Sequence, residues 1–155
     1  MSSSPLVIAH GRPDSEEAMS LIRALDDELR VRYLINETHG LHPEDVRDPR
    51  LIFLIARIDG RCVACGAVRE LESGVGEIKR MFVRPECRGR GIGRQLLSEL
   101  ESHARAGGYS RVQLETGTLQ PEAIGLYKSA GYRERALFGD YVDSPLSVFL
   151  EKPLS

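Results

Sequence analysis

The chain has 155 residues, is 41% hydrophobic and 28% charged, and carries a formal net charge of −2 with a sequence pI near 6.1. That size suits one domain, spanning 1–155, around one core, and the mild acidity argues against a general nucleic-acid binder, which shows a strongly basic face. No stretch approaches the ~20 consecutive apolar residues of a bilayer span. The start Met1-Ser2-Ser3-Ser4-Pro5 lacks the basic and apolar regions of a secretory signal, so a cytoplasmic protein without a membrane partner is expected.

In chain order, Leu6-Val7-Ile8-Ala9 reads as a short strand. Asp14, with Glu17 three residues on, forms a capping-box pattern, and Met19, Ile22, Leu25 and Leu29 follow at helical spacing. Positions 36–48 are polar and loop-like, with room for a short helix from Pro43. Leu51 to Ile58 is an apolar, β-branched run, Asp59-Gly60 a hairpin signal, and Val63 to Glu70 the returning strand. After Ser73-Gly74, Gly76 to Val83 is a further strand. Ile92, Leu96, Leu97, Leu100 and Ala104 then mark one helical stripe, stopped by Gly107-Gly108. Val112 to Thr116 is a strand. Pro121 suits a first helical position, with Gln120 as cap, and Ala123, Ile124, Leu126, Tyr127 and Ala130 form that helix's inner face until Gly131. Tyr132 to Arg135 and Leu146 to Glu151 supply two last strands. The order predicts a mixed α/β sheet whose parallel step is the crossover from strand 76–83 to strand 112–116.

The three cysteines, Cys62, Cys65 and Cys87, are an odd count and do not suggest a disulfide framework. Cys62 and Cys65 form a C-x-x-C pair, but a metal site needs two more ligands, and only Cys87 and four scattered histidines remain. On a strand this spacing sends the two thiols to opposite faces. Buried core cysteine is the expectation, with no metal.

The segment from Gly76 to Glu101 holds the features that point to chemistry. Pro85 ends the strand, and Gly89, Gly91 and Gly93 precede the helix, so several backbone N–H groups can converge on one anion beside a positive helix end. Arg84, Arg88, Arg90 and Arg94 fall within eleven positions, with Glu86 the only acid among them, which suits a small anionic ligand. A dinucleotide fold would need glycine where Arg94 stands, and an immediate turn where Pro85 to Arg88 intervene. Only 40 residues follow Glu115, too few for the rest of a doubly wound sheet. No Gly-Lys-Ser/Thr follows, so a Walker A loop fails too.

Arg88-x-x-Gly91-x-Gly93 resembles the coenzyme A signature of the GNAT superfamily of N-acetyltransferases. Gln120-x-x-Ala123-x-x-Leu126-Tyr127-x-x-x-Gly131-Tyr132 resembles its second signature, with Gln120 where Asn is usual. The runs Leu114-Glu115-Thr116-Gly117 and Phe138-Gly139-Asp140-Tyr141 are similar to a group of small bacterial members. The resemblance implies the GNAT acyl-CoA N-acyltransferase fold: a central, mostly antiparallel sheet with one splayed parallel strand pair and about four helices. It implies acetyl-CoA as cosubstrate and direct transfer to an amine within a ternary complex. Met81, Phe82 and Val83 would hold the pantetheine arm and thioester oxygen, and Arg88, Gly89, Arg90, Gly91, Ile92, Gly93, Arg94 and Gln120 the rest of the coenzyme. Tyr127 would be the general acid and would also touch the coenzyme. Glu77 is the candidate base, acting through a water, and Glu115 the alternative base or ammonium-binding group.

Two further readings come from the residues. Ile78 sits on even parity and Met81 and Val83 on odd, so a β-bulge between them would restore a common face and splay the strand. His39 and His42 would line the acceptor site or lie in a solvated loop. The expected acceptor is a small-molecule primary amine, an amino acid or related amine. The alternatives are a protein lysine or N-terminus and, from another class, a non-catalytic acyl-coenzyme A sensor. Pairing of the last strands in a homodimer stays open.

Overall fold

The computed structural model describes residues 4–33, 40–41 and 43–154. The elements run β1 (Leu6–His10), α1 (Glu16–Tyr33), α2 (Pro43–Arg47), β2 (Ile52–Ile58), β3 (Arg61–Glu72), β4 (Val75–Val83), α3 (Ile92–Ala106), β5 (Arg111–Gly117), α4 (Pro121–Ser129), β6 (Arg133–Glu134) and β7 (Ser147–Pro153). A 3-10 turn at Pro85–Cys87 joins β4 to α3. The strands form a seven-stranded sheet in the order β1-β2-β3-β4-β5-β7-β6. Neighbours are antiparallel except β4 and β5, which are parallel, as the crossover predicts. Of the expected strand Tyr132 to Arg135, two residues pair.

Period-two alternation sends β2 into two cores. Leu54 and Ala56 face α3, where Leu96, Leu97, Leu100 and Ala104 pack with Ile78, Val112 and Leu114. Phe53 and Ile55 face α1, where Ala18, Leu21 and Leu25 pack with Cys65, Ala67 and Phe82. Met19, expected in the α1 stripe, is 40% exposed; Leu25 is buried as expected and Ile22 and Leu29 pack partly buried beside it, while Ala18 and Leu21 complete the buried face. The helix start differs too. Ser15 caps α1, its Oγ accepting from the Ala18 amide at 3.2 Å, while Asp14 is held bidentately by Arg12 at 2.9 and 2.8 Å. Glu17 reaches across to Arg57 on β2 rather than back to the cap.

The strand irregularities bear on the site. Between Ala56↔Ala64 and Arg57↔Cys62 the β2–β3 register slips, leaving Val63 as an extra residue. This corrects the expectation for the thiols: the bulge returns Cys62 and Cys65 to one face, both in the α1-side core. All three cysteines are buried and free, as expected of core residues, and burial pushes the Cys65 thiol up to about 12. Among the described residues, no group of three or more His, Cys, Asp or Glu is placed to hold a metal ion. Nor is any described helix long and apolar enough to cross a membrane.

The second slip is the bulge anticipated in β4. Cys65 pairs with Phe82 and Ala67 with Lys79, so Arg80 and Met81 together stand opposite Gly66. Arg80 adopts φ +59°, the left-handed region that a side chain disfavours. Ile78, Met81 and Val83 consequently share the α3 face. Two contacts hold the bulge: Arg80 Nη1 donates to Asp26 Oδ1 of α1 at 2.8 Å, and Cys65 Sγ donates to the Arg80 carbonyl at 3.3 Å.

Candidate active site

Strand β4 pairs with β5 only from Val75↔Arg111 to Glu77↔Gln113. Beyond that point the strands diverge, and the edge of β4 that faces β5 carries no ladder. A sheet parted in this way offers unpaired backbone groups inside the fold. Two cavities open there, one on either side of α4's inner face.

The first cavity, of about 450 Å³, is lined by Met81, Phe82 and Val83, by Gly89 and Gly91 to Arg94, and by Gln120 and Tyr127. Gly89 and Gly91 take φ +81° and +79°, a conformation glycine adopts without strain. Gly91 is the N-cap of α3 and no side chain bonds to that helix end, so the first N–H groups of the helix are directed at the cavity mouth. The cavity mouth therefore suits a small anion, and the unpaired edge of β4 beside it suits an extended chain.

The arginines divide. Arg94 lines the cavity and bonds to Ser129 Oγ. Arg88 also lines it, but its guanidinium is bound bidentately by Glu28 of α1 at 2.9 and 3.0 Å, and its Nε donates to the Val83 carbonyl at 2.8 Å. Arg88 therefore fastens the end of β4 to α1 at the cavity wall. Arg90 is exposed and outside the lining. Arg84 points away, donating to the Cys62 carbonyl and Ser20 Oγ.

The second cavity, of about 330 Å³, lies against the α1 side of the parted strands. Its wall includes Tyr33, Lys79, Arg80, Glu115, Tyr141 and Ser147. Gln120, Ala123 and Tyr127 line both cavities, so Tyr127 stands at their junction. Tyr127 is 6% exposed and stacks edge-on against Tyr132 at 5.6 Å. Its hydroxyl makes no hydrogen bond to another described residue. Burial holds its phenol above the ordinary range, so it stays protonated at neutral pH. Gln120 Nε2 lies 3.4 Å from Thr116 Oγ1.

Glu77 is 1% exposed and lies beneath the cavity rather than on its wall. Tyr141 donates to Glu77 Oε2 at 2.7 Å, and Arg69 Nε stands 3.1 Å from Oε1. Glu77, the candidate base, thus has one carboxylate oxygen occupied by the Tyr141 phenol. Glu115 is on the wall itself, its Oε2 accepting from Ser147 Oγ at 2.9 Å. His39 and His42 lie outside the described residues.

The role of Tyr33 left no trace in the sequence reading. It ends α1, and its hydroxyl accepts from the Leu119 amide at 3.1 Å, bridging the mouth of the cavity from α1 to the end of β5. A Cβ on Gly117 would run into that hydroxyl, so the glycine of the Leu114–Gly117 run is a contact requirement. Tyr141 was visible within the Phe138–Tyr141 run without a role. Its ring meets Phe138 and Phe149 at 5.4 and 5.6 Å. Lys79 was detectable in principle: with Glu77 and Arg80 it places three charges in a nine-residue interior strand.

The family model described as "Acetyltransferase (GNAT) family" matches residues 18–132. An IAA acetyltransferase of Azospirillum brasilense is 43% identical over 150 residues, covering 96% of this chain and 98% of that protein. The uncharacterised N-acetyltransferase YsnE of Bacillus subtilis is 30% identical, covering 94% and 99%. A crystal structure of an acyl-CoA N-acyltransferase from Klebsiella pneumoniae superposes with a TM-score of 0.83 at 38% identity, covering 97% of this chain and 98% of that one.

Proposed function

Because the chain belongs to the GNAT acetyltransferase family and is an acyltransferase, we propose that it transfers the acetyl group of acetyl-CoA to the primary amine of a small molecule, an amino acid or related amine. The observation that carries this reading is the meeting of the two cavities at Tyr127. One has the backbone and charge suited to the coenzyme. The other, at about 330 Å³, has the size of a small-ligand pocket. The enclosing side chains of α1 and of residues 141–147 favour a small acceptor over a protein segment.

An ammonium titrating near ~10.4 must lose a proton before it attacks. Glu115, on the acceptor wall, holds the ammonium and takes that proton. Glu77 serves as a positioning residue: it fixes the Tyr141 phenol, through which it communicates with the cavity. As the amine nitrogen bonds to the thioester carbon, charge builds on the carbonyl oxygen, and backbone N–H groups of Met81 to Val83 on the unpaired edge receive it. The carbon–sulfur bond then breaks. Tyr127 donates its phenolic proton to the departing sulfur, whose thiol has an ordinary pKa near ~8.5. The proton held by Glu115 and the surplus proton left on the nitrogen after attack both pass to solvent, and one is taken back to restore Tyr127, so the net reaction is ammonium plus thioester to amide, thiol and one released proton. Arg88 keeps the end of β4 in place, and Arg94 with the turn 89–93 neutralises the pyrophosphate.

Thiol release from acetyl-CoA, measured with a panel of small amines and with lysine-containing peptides, tests this reading. The expected result is release matched by N-acetylated product for at least one small primary amine. Turnover confined to peptides would support a protein substrate. Tight coenzyme binding without release for any amine would leave a sensor.

A further inference from the structure

Glu77 and Gln113 are the last paired positions of β4 and β5. Two residues on, Lys79 and Glu115 occupy the same face of the sheet on opposite sides of the opening gap, and both line the acceptor cavity. The Lys79 side chain is only 7% exposed. Its ammonium makes no hydrogen bond to a described residue. Glu77 Oε2 lies 3.9 Å away, and Glu77 is already engaged more closely by Tyr141 at 2.7 Å and Arg69 at 3.1 Å. The face of the Tyr141 ring, 5.6 Å from Nζ, is the other neighbour.

Buried cations are normally paired and hydrogen-bonded, because desolvation penalises the charged form. Desolvation is the leading influence on Lys79, lowering its pKa against the opposing pull of Glu77. A second cation on the same wall is also under-satisfied. Arg80 donates Nη1 to Asp26 at 2.8 Å, but its enclosed Nε has no partner among the described residues. The β4 side of the cavity therefore carries two incompletely partnered cations, with Glu77 Oε1, which accepts no hydrogen bond from a described residue, beneath the wall rather than on it, whereas the β5 side presents the Glu115 carboxylate, which Ser147 already bonds. A ligand that complements both carries an anion at one end and a cation at the other.

We propose that Lys79 binds a carboxylate of the acceptor, so that the enzyme acetylates amines that carry an acid group, with the carboxylate on Lys79 and the amine at Glu115 and Tyr127. The inference rests on the small-amine reading above and adds the residue that selects among amines. Lys79 is placed to give a charge-assisted hydrogen bond to the carboxylate, and an acceptor without that group leaves the ammonium of this half-buried residue in the cavity without that partner.

The test compares each of the twenty amino acids with its carboxamide, in which only the acid group is neutralised. In the parent enzyme, kcat/KM for the preferred amino acid is expected to exceed that for its amide by about 100-fold. In Lys79→Gln this ratio falls below about 5-fold, and Lys79→Arg, which keeps the charge, retains most of it. Calorimetry with the N-acetylated amino acid and its amide, titrated into enzyme saturated with coenzyme A, reads the same discrimination without turnover. Thermal melting separates a binding defect from unfolding. A parent ratio near 1, or a ratio unchanged in Lys79→Gln, overturns the assignment of Lys79. Absence of thiol release with every amine overturns the broader reading, and this proposal with it. Preferential turnover of amides sinks the Lys79 proposal alone.

Discussion

Replacing Tyr127 by phenylalanine is expected to lower kcat by about 10²- to 10⁴-fold, the usual worth of a positioned general acid, while coenzyme A affinity stays within about 3-fold. The substitution removes one oxygen and preserves the ring. That hydroxyl makes no hydrogen bond to another described residue, so its loss strands no donor or acceptor, and the folded state should lose less than about 1 kcal/mol. The edge-on contact with Tyr132 at 5.6 Å survives. The pH dependence follows from the direction of the shift. Burial raises the phenol above its ordinary value near ~10, so its acid form persists as pH climbs, and Tyr127 imposes no alkaline fall in kcat between about pH 7 and 9. Steady-state kinetics and coenzyme titration check both statements. Parental kcat in Tyr127→Phe would remove the phenol from the mechanism.

The largest expected loss of stability is at Lys152. Glu101 of α3 is 5% exposed. One of its oxygens accepts from Tyr132 at 2.8 Å and the other from Lys152 of β7 at 2.8 Å, and the Lys152 ammonium sits 5.7 Å over the Tyr132 ring. This triad joins α3, the chain after α4 and β7. Lys152→Met removes the only cation bonded to the buried Glu101 carboxylate among the described residues. It should cost about 3 kcal/mol, the lower end for breaking a buried pair, because the Lys152 side chain is 23% exposed. For a chain of this length that is a fall in Tm of about 6–12 °C. The double variant Lys152→Met/Glu101→Leu should recover much of the loss, since it removes the stranded charge as well. Denaturant unfolding of both variants decides the matter, and a single-variant cost below about 1 kcal/mol would contradict it.

The fold was largely legible because its signals are local. The glycine-rich turn, the α3 stripe and the Pro121 helix start each depend on a few neighbouring residues. Even the bulge in β4 left a mark, in the changed parity of Ile78 against Met81 and Val83. The errors arose where one residue's geometry depends on a partner strand or on competing local bonds. The Val63 bulge, which brings Cys62 and Cys65 to one face, is visible only in the pairing with β2. Ser15 took the cap because Asp14 had Arg12 beside it. The glycine-rich wall of the first cavity was likewise readable, since residues 89–94 are consecutive. The second cavity was not: of its wall only Glu115 had been given a role from the sequence, Tyr33, Lys79 and Tyr141 join it from three other distant segments, and nothing in their spacing announces that the parting of β4 from β5 brings them to one cavity.

The central claim is that the parted strands bring a coenzyme thioester to Tyr127, and a crystal structure with bound acetyl-CoA tests it most directly. The predicted result has the pyrophosphate on the backbone of residues 89–94, the pantetheine arm along Met81 to Val83, and the thioester sulfur within hydrogen-bonding reach of the Tyr127 hydroxyl with the acetyl group facing Glu115. A coenzyme bound with its sulfur remote from Tyr127, or with its acetyl group turned away from the Lys79–Glu115 cavity, would contradict the account.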